Sequence, residues 1–230
     1  MSPSVDPVRS FRPDAEAKCL CGKNRLFKNC CGNNSPDRDL PFGMILKKKF
    51  LPDSACDKLI AYAEKQGVAS DLAVVTGHTQ ETQQTEDQVN SDRVTSRIDL
   101  GQKQATIDKW VADIFYKVVA KRTGEKIRSY SPPDLMRYQP GGHYRAHSDS
   151  ELFDPAAGVW NKVLDRDYSL LLYLNSDFEG GAVYFDRFNY TYQPEKGDLL
   201  IFPSHQLYLH EAQLVTKGVR YVIVSWANIK

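Results

Sequence analysis

From Asp134 to Lys230 the chain is a succession of short β-branched and aromatic runs, each stopped by turn residues. This texture limits the fold more than any other feature. The runs read "DLMRYQ", "YSLLLYLN", "AVYF", "YTYQ", "DLLIF" and "RYVIVSW", and between them stand "PGG", "NSDFEGG", "QPEKGD" and "PSH". Short strands at close spacing with turn signals between them predict a sandwich or barrel. Upstream, the period changes. "SACDKLIAYAEKQG" reads as a helix entered at Pro52-Asp53-Ser54 and closed by Gly67, and "KQATIDKWVADIFYKVVAKRTG" places Ile107, Trp110, Val111 and Ile114 at helical spacing. "MILKKKFLP" reads as a strand ending at Pro52. The expectation is a mainly β fold with flanking helices, of the α+β class.

At 230 residues and 41% hydrophobic content the chain can bury one sizeable core with a small appendage. A net charge of +1 implies no strong attraction to nucleic acid or anionic lipid. No run of eighteen apolar residues exists, so no membrane-spanning helix is expected. "MSPSVDPVRSFRPD" lacks the apolar region of a secretory signal, and a cytoplasmic location is the expectation. Residues 1–13 read as a flexible lead-in, 14–35 as a compact cysteine segment, 36–43 as a linker and 44–230 as the main domain. The polar stretch Thr76–Asp92 reads as a long mobile loop able to close over a substrate.

The chemistry starts at "YRAHSDSE". On a strand, His147 and Asp149 project to the same face and can bind one ion together. His210, in "YLHEAQLVTKGVRY", is the best distant third ligand. Two imidazoles and one carboxylate on one side of an ion leave positions open for substrate chemistry, as in non-heme Fe(II) oxygenases. Arg220 follows His210 by ten residues, and a guanidinium pointing into the same barrel suits bidentate pairing with a carboxylate.

The stretches "RYQPGGHYRAHSD", "YSLLLYLN", "FEGGAVYF", "PEKGDLLIFPS" and "HEAQLVTKGVRYVIVSW" occur in an order that resembles the 2-oxoglutarate- and Fe(II)-dependent oxygenases, most of all the prolyl 4-hydroxylase branch. The resemblance covers about Ile45 onward. It implies a double-stranded β-helix, or jelly roll, in which His147, Asp149 and His210 hold Fe(II) and Arg220 binds the distal carboxylate of 2-oxoglutarate. By the same resemblance Tyr138 and Tyr173 contact the cosubstrate and Tyr144 meets the target proline at the catalytic centre. Arg93 and Trp226 contact the substrate. O2 is the co-reactant, ascorbate a candidate reductant, and the partner a proline-containing protein or peptide. The carboxylate at Asp149 favours hydroxylation over halogenation. The family's collagen-type enzymes usually carry lysine where Arg220 stands, so the subfamily is open.

"CLCGKNRLFKNCCG" carries Cys19, Cys21, Cys30 and Cys31 in two close pairs, a set suited to tetrahedral zinc. It resembles the SEC-C motif. So short a segment draws its folding energy from the metal. Lys18, Lys23, Arg25 and Lys28 around Phe27 suggest a docking surface for a translation- or ribosome-associated partner, with Phe27 expected to be exposed. Two other functional readings stand beside the hydroxylase: the same scaffold acting on a free amino acid or small molecule, and a non-catalytic module that recruits a partner through the cysteine segment.

Overall fold

A computed structural model describes residues 12–20, 24–32, 39–66, 68–71 and 92–230. The loop expected at 76–92 lies, apart from Asp92, outside the described residues, as does Cys21. Two antiparallel sheets face each other. The major sheet runs in the order Ile45–Lys47, Leu199–Pro203, Tyr168–Tyr173, Arg220–Ile229, Asp134–Tyr138, Ser96–Ile98, Val68–Asp71, and Ile127–Tyr130 pairs with the far end of Arg220–Ile229. The minor sheet runs Tyr190–Tyr192, Val183–Phe185, His210–Ala212, His143–His147, Arg93–Val94. This is the jelly roll that the resemblance implies, and a form of the sandwich or barrel that the turn-punctuated runs predict.

Strand side chains alternate, and in the major sheet each face has its own core. Leu170, Leu172, Leu199, Ile201, Tyr221 and Ile223 face the helices. Met136, Tyr173, Leu200, Phe202, Val222 and Val224 face the minor sheet. Burial on both faces explains why "YSLLLY" and "DLLIF" are continuous apolar runs rather than alternating ones. The outer core is covered by two helices. Asp53–Gln66 buries Cys56, Leu59 and Ala63, one residue per turn, and Gln104–Asp113 buries Ile107 and Val111. The second helix continues through a wide π turn, Ile114–Val119, to Ala120–Thr123, where Gly124 at φ +71° closes it.

Asp198, read from "EKGD" as a turn former, has a larger role. It is fully buried and accepts hydrogen bonds from Tyr192 Oη (2.5 Å), Lys49 N (2.9 Å), Lys48 Nζ (3.0 Å) and Glu195 N (3.0 Å). Burial works to raise its carboxyl, and the four donors outweigh it and hold it below the usual range. One carboxylate thereby ties the edge strand Ile45–Lys47 to the turn before Leu199. Gly197 makes that turn at φ +81°, with Leu51 O only 2.2 Å from where a Cβ would stand.

The cysteine segment corrects two expectations. Phe27 is not exposed: it retains 5% of its surface and packs edge-on against Phe42 at 5.2 Å. Phe42 in turn meets Phe188 (5.5 Å) and Tyr208 (6.2 Å), and its carbonyl accepts the Tyr208 hydroxyl. Leu40 and Phe42, expected in a linker, are therefore core residues. An aromatic ring beside an apolar core is worth more buried than wet, so the segment docks on its own domain through Phe27. Two of its basic residues are also engaged: Arg25 pairs with Glu125 (3.6 Å) and Lys28 with Glu16 (2.6 Å). Among the described residues no helix is long and apolar enough to cross a membrane.

Candidate active site and metal centre

His147 ends one strand of the minor sheet, and His210 begins the strand paired with it; the two are direct cross-strand partners. Their rings lie 4.3 Å apart. Asp149 reaches them differently from the expectation. The strand stops at His147, and a bend, not strand alternation, swings Asp149 inward. Ser148 Oγ and Ser150 Oγ hold that bend by donating to Ser204 O, each at 3.0 Å. Asp149 Oδ1 is then 3.6 Å from His147 Nε2, and Oδ2 is 3.8 Å from His210 Nε2. One donor atom from each residue falls within 4.8 Å of the others.

The donor set fits a divalent metal in protonation as well as in position. His147 Nδ1 donates to Arg145 O (2.8 Å) and His210 Nδ1 to Tyr208 O (3.0 Å). A carbonyl can only accept, so each neutral ring carries its proton on Nδ1 and turns the Nε2 lone pair inward. Burial lowers His210 to about 4, and His147 pushes the same way, which keeps the imidazole neutral. Burial works to raise Asp149, but the His210 and His147 rings and the hydroxyl of Ser169, donating at 2.5 Å, hold its carboxyl well below the usual range. Two neutral imidazoles and an ionised carboxylate are the ligand set of a facial Fe(II) site.

Arg220 and Tyr138 are cross-strand neighbours on the major sheet, and the guanidinium lies 4.6 Å from the Tyr138 ring and 5.5 Å from that of Tyr173. Arg220 is 2% exposed. Its Nη1 donates to Gly181 O (3.1 Å), but its Nε has no partner and no carboxylate among the described residues pairs with it. Beside it the Tyr173 hydroxyl is buried with no hydrogen-bond partner. Burial pushes this phenol up to about 12, so it stays a donor. An unpaired guanidinium and an orphaned hydroxyl together are costly unless an anion meets them, and a carboxylate end of 2-oxoglutarate fits both. The carbonyl that steers Arg220 belongs to the "GG" pair. Gly180, at φ +72°, passes so close to Leu214 O that a Cβ would stand 2.1 Å from it.

The triad and Arg220 line one cavity of about 220 Å³ with Tyr138, Tyr144, Arg93, Arg166, Asp134 and Trp226. Tyr144 stacks on His147 with ring centroids 3.5 Å apart, and Arg93 covers the other side of Tyr144 at 4.7 Å. Burial pushes the Tyr144 phenol up to about 12. Trp226 lines the same cavity. Two residues here have no motif in the sequence. Ser169 is buried and bonds both Asp149 and Ser204 Oγ (2.8 Å). Arg166 stacks on Trp226 at 3.8 Å and donates to Asp149 O at 3.2 Å. Neither carries a sequence signal: Ser169 sits inside an apolar strand run, and Arg166 follows a polar stretch indistinguishable from surface.

The fold and the site together make a jelly roll that carries a two-histidine, one-carboxylate donor set beside a buried guanidinium. Residues 133–228 match the 2OG-Fe(II) oxygenase superfamily, a segment that contains the triad and Arg220. A PKHD-type hydroxylase of Thermosynechococcus vestitus is 28% identical over 152 residues, which cover 52% of this chain and 65% of that protein. A PKHD-type hydroxylase of Idiomarina loihiensis is 37% identical over 96 residues, 41% of this chain and 40% of that one. The chain thus spans less than two thirds of the length of these curated relatives. A prolyl hydroxylase of Trichoplax adhaerens, solved with a hypoxia-inducible-factor oxygen degradation domain peptide, superposes with a TM-score of 0.61 at 18% identity, covering 81% of this chain and 83% of that one. That likeness is one of fold.

Proposed function

We propose that this chain hydroxylates a prolyl residue in a protein or peptide, consuming 2-oxoglutarate and O2 and releasing succinate and CO2. The observation that carries the reading is the pairing of a metal-ready triad with the unpartnered Arg220 and Tyr173 in one buried region. His147, Asp149 and His210 would hold the Fe(II). Arg220, with Tyr173 and Tyr138, would fix the far carboxylate of the cosubstrate. Iron with its cosubstrate and O2 supplies the oxidation, while the protein supplies position and charge. Tyr144 stays a neutral phenol held between His147 and Arg93, so its ring edge and hydroxyl would meet an incoming pyrrolidine ring in the cavity that Trp226 also lines. Similarity to PKHD-type hydroxylases and to a peptide-bound prolyl hydroxylase supports the target class. Ascorbate would serve to keep the iron reduced.

Anaerobic addition of Fe(II) and 2-oxoglutarate tests this. A visible charge-transfer band is expected in the wild type, absent in His147→Ala and weakened in Arg220→Ala. A proline peptide should then gain one oxygen atom on aeration. No band in a folded, iron-loaded wild type would sink the reading.

The cysteine segment supports a second metal. Cys19, Cys30 and Cys31 are buried with sulfur atoms within 4.8 Å of one another. With Cys21 they would make the four-thiolate site that zinc prefers. One tightly held zinc per chain, lost on Cys30→Ser, is the expected result. Leu20 and Leu26 remain exposed there and are where a translation-associated partner would dock. Co-purification unchanged by Leu20→Asp with Leu26→Asp would count against such a partner. The buried, reduced thiol of Cys56 suits a cytoplasmic location.

A further inference from the structure

The substrate half of the cavity holds more positive charge than the hydroxylase chemistry consumes. Three guanidiniums line it, Arg93, Arg166 and Arg220, against two carboxylates, Asp134 and Asp149. Arg220 is taken by the cosubstrate and Asp149 by the metal. Asp134 is engaged outside the cavity's centre by Arg97 at 3.5 Å. A divalent metal and a cosubstrate dianion cancel each other. Arg93 and Arg166 remain, both half-buried.

Among the described residues neither forms an ion pair with an acidic side chain. Arg166 spends its Nη1 on the main-chain oxygen of Asp149 and lies flat on Trp226. Arg93 lies over Tyr144, its Nη2 meets the sulfur of Met136 at 3.9 Å, and its Nε is buried without a partner. The acid next to Arg93 in the chain, Asp92, is committed to Arg145 at 3.0 Å. Each guanidinium is thus oriented by an aromatic plane and a single polar contact, while donors remain for a carboxylate. Flat stacking with free edge donors is what arginine offers and lysine does not.

We infer that Arg166, assisted by Arg93, binds a carboxylate of the substrate next to the hydroxylated position. This inference rests on the hydroxylase reading and narrows its substrate class. Arg166 touches the main chain of a metal ligand, so an acid it binds must lie close in sequence to the reacting residue. An extended peptide advances about 3.3–3.6 Å per residue, which puts that acid one or two residues from the target proline. The same carboxylate chemistry is offered by a free amino acid or by a C-terminal proline.

The test measures binding, apart from turnover. Protein loaded with Mn(II) and 2-oxoglutarate is titrated with fluorescent nine-residue peptides whose central proline is flanked by alanine, glutamate or lysine, and in competition with free proline and with a peptide ending in proline. The expected result is at least tenfold tighter binding of the glutamate peptide than of the alanine peptide, with the lysine peptide weakest. The preference should shrink with salt. Arg166→Gln should abolish it, Arg93→Gln should reduce it, and Arg166→Lys should restore it only in part. If free proline or the C-terminal proline gains the Arg166-dependent preference instead, the carboxylate comes from the chain end or a free acid, and the carboxylate site stands. Equal binding of all probes, or an equal loss for all in Arg166→Gln, overturns the inference. Wild type that fails to take up 2-oxoglutarate with the metal overturns the hydroxylase reading instead, so the two failures are told apart.

Discussion

Replacing Tyr173 with phenylalanine should move stability and cosubstrate binding in opposite directions. The hydroxyl is fully buried and has no hydrogen-bond partner. An unsatisfied buried polar group costs about 1–3 kcal/mol. Tyr173→Phe removes it while keeping the ring against Tyr192 at 6.3 Å and Arg220 at 5.5 Å. The void left by one oxygen subtracts only a few tenths of a kcal/mol. The ligand-free variant should therefore be more stable than wild type by about 1 kcal/mol. Cosubstrate binding should suffer, because a hydrogen bond to a charged acceptor is worth about 1.5–3 kcal/mol. That corresponds to a Kd raised about 10- to 150-fold. Denaturant melts in Mn(II), with and without 2-oxoglutarate, read both effects. At a concentration 100 times the wild-type Kd the ligand adds about 2.7 kcal/mol to wild type and much less to the variant, so the order of stability reverses. A variant less stable without ligand, with an unchanged response to 2-oxoglutarate, would show that the hydroxyl does not face the anion.

Three further outcomes follow from packing and protonation. Ser169→Ala deprives buried Asp149 of its 2.5 Å donor, and metal affinity should fall about 10- to 100-fold in an Fe(II) or Mn(II) titration. Phe27→Ala should destabilise the folded chain by about 3–5 kcal/mol in urea, since its ring is buried against Phe42; a loss under 1 kcal/mol would mean the cysteine segment does not dock. Burial pushes the Cys56 thiol up to about 11, so at pH 8 mass spectrometry of alkylated native protein should find Cys56 unmodified, and modified once urea is added. The sign is fixed by which state ionises first. Between about 9 and 11 only the unfolded chain releases this proton, so the contribution of Cys56 to stability is whole below 9 and declines as pH rises through that window.

The metal site was legible in the sequence because its chemistry demands particular residue types at chain positions that strands bring together. The structure brings His147, Asp149 and His210 within 4.8 Å of one another and sets Arg220 in the same cavity, although a bend and not strand alternation carries Asp149 there. The strands were legible because a sheet buried on two faces writes itself as unbroken apolar runs. What stayed hidden depends on contacts distant in sequence. Phe27, Phe42, Phe188 and Tyr208 form one aromatic cluster from four separate segments, and no periodicity links them. A phenylalanine in a stretch rich in basic residues reads as a docking tip until its partners are seen. The bend that carries Asp149 was hidden for the same reason: its support, Ser204 O, comes from just past the end of the strand Leu199–Pro203. Arg166 looked like any surface charge because its meaning lies in the Trp226 ring beneath it.

The three residues proposed to hold the metal differ in what aims them. The imidazoles of His147 and His210 are steered by main-chain carbonyls two residues back in the chain, those of Arg145 and Tyr208. No neighbouring side chain sets their tautomer, so no point substitution outside the histidines can remove those acceptors. Asp149 is aimed by the hydroxyl of Ser169, itself bonded to that of Ser204. Heritable variation can therefore retune this centre through one ligand of the three. A lineage drifting in metal preference would record it first at positions 169 and 204, while the histidines kept their geometry for as long as the two strands stayed paired.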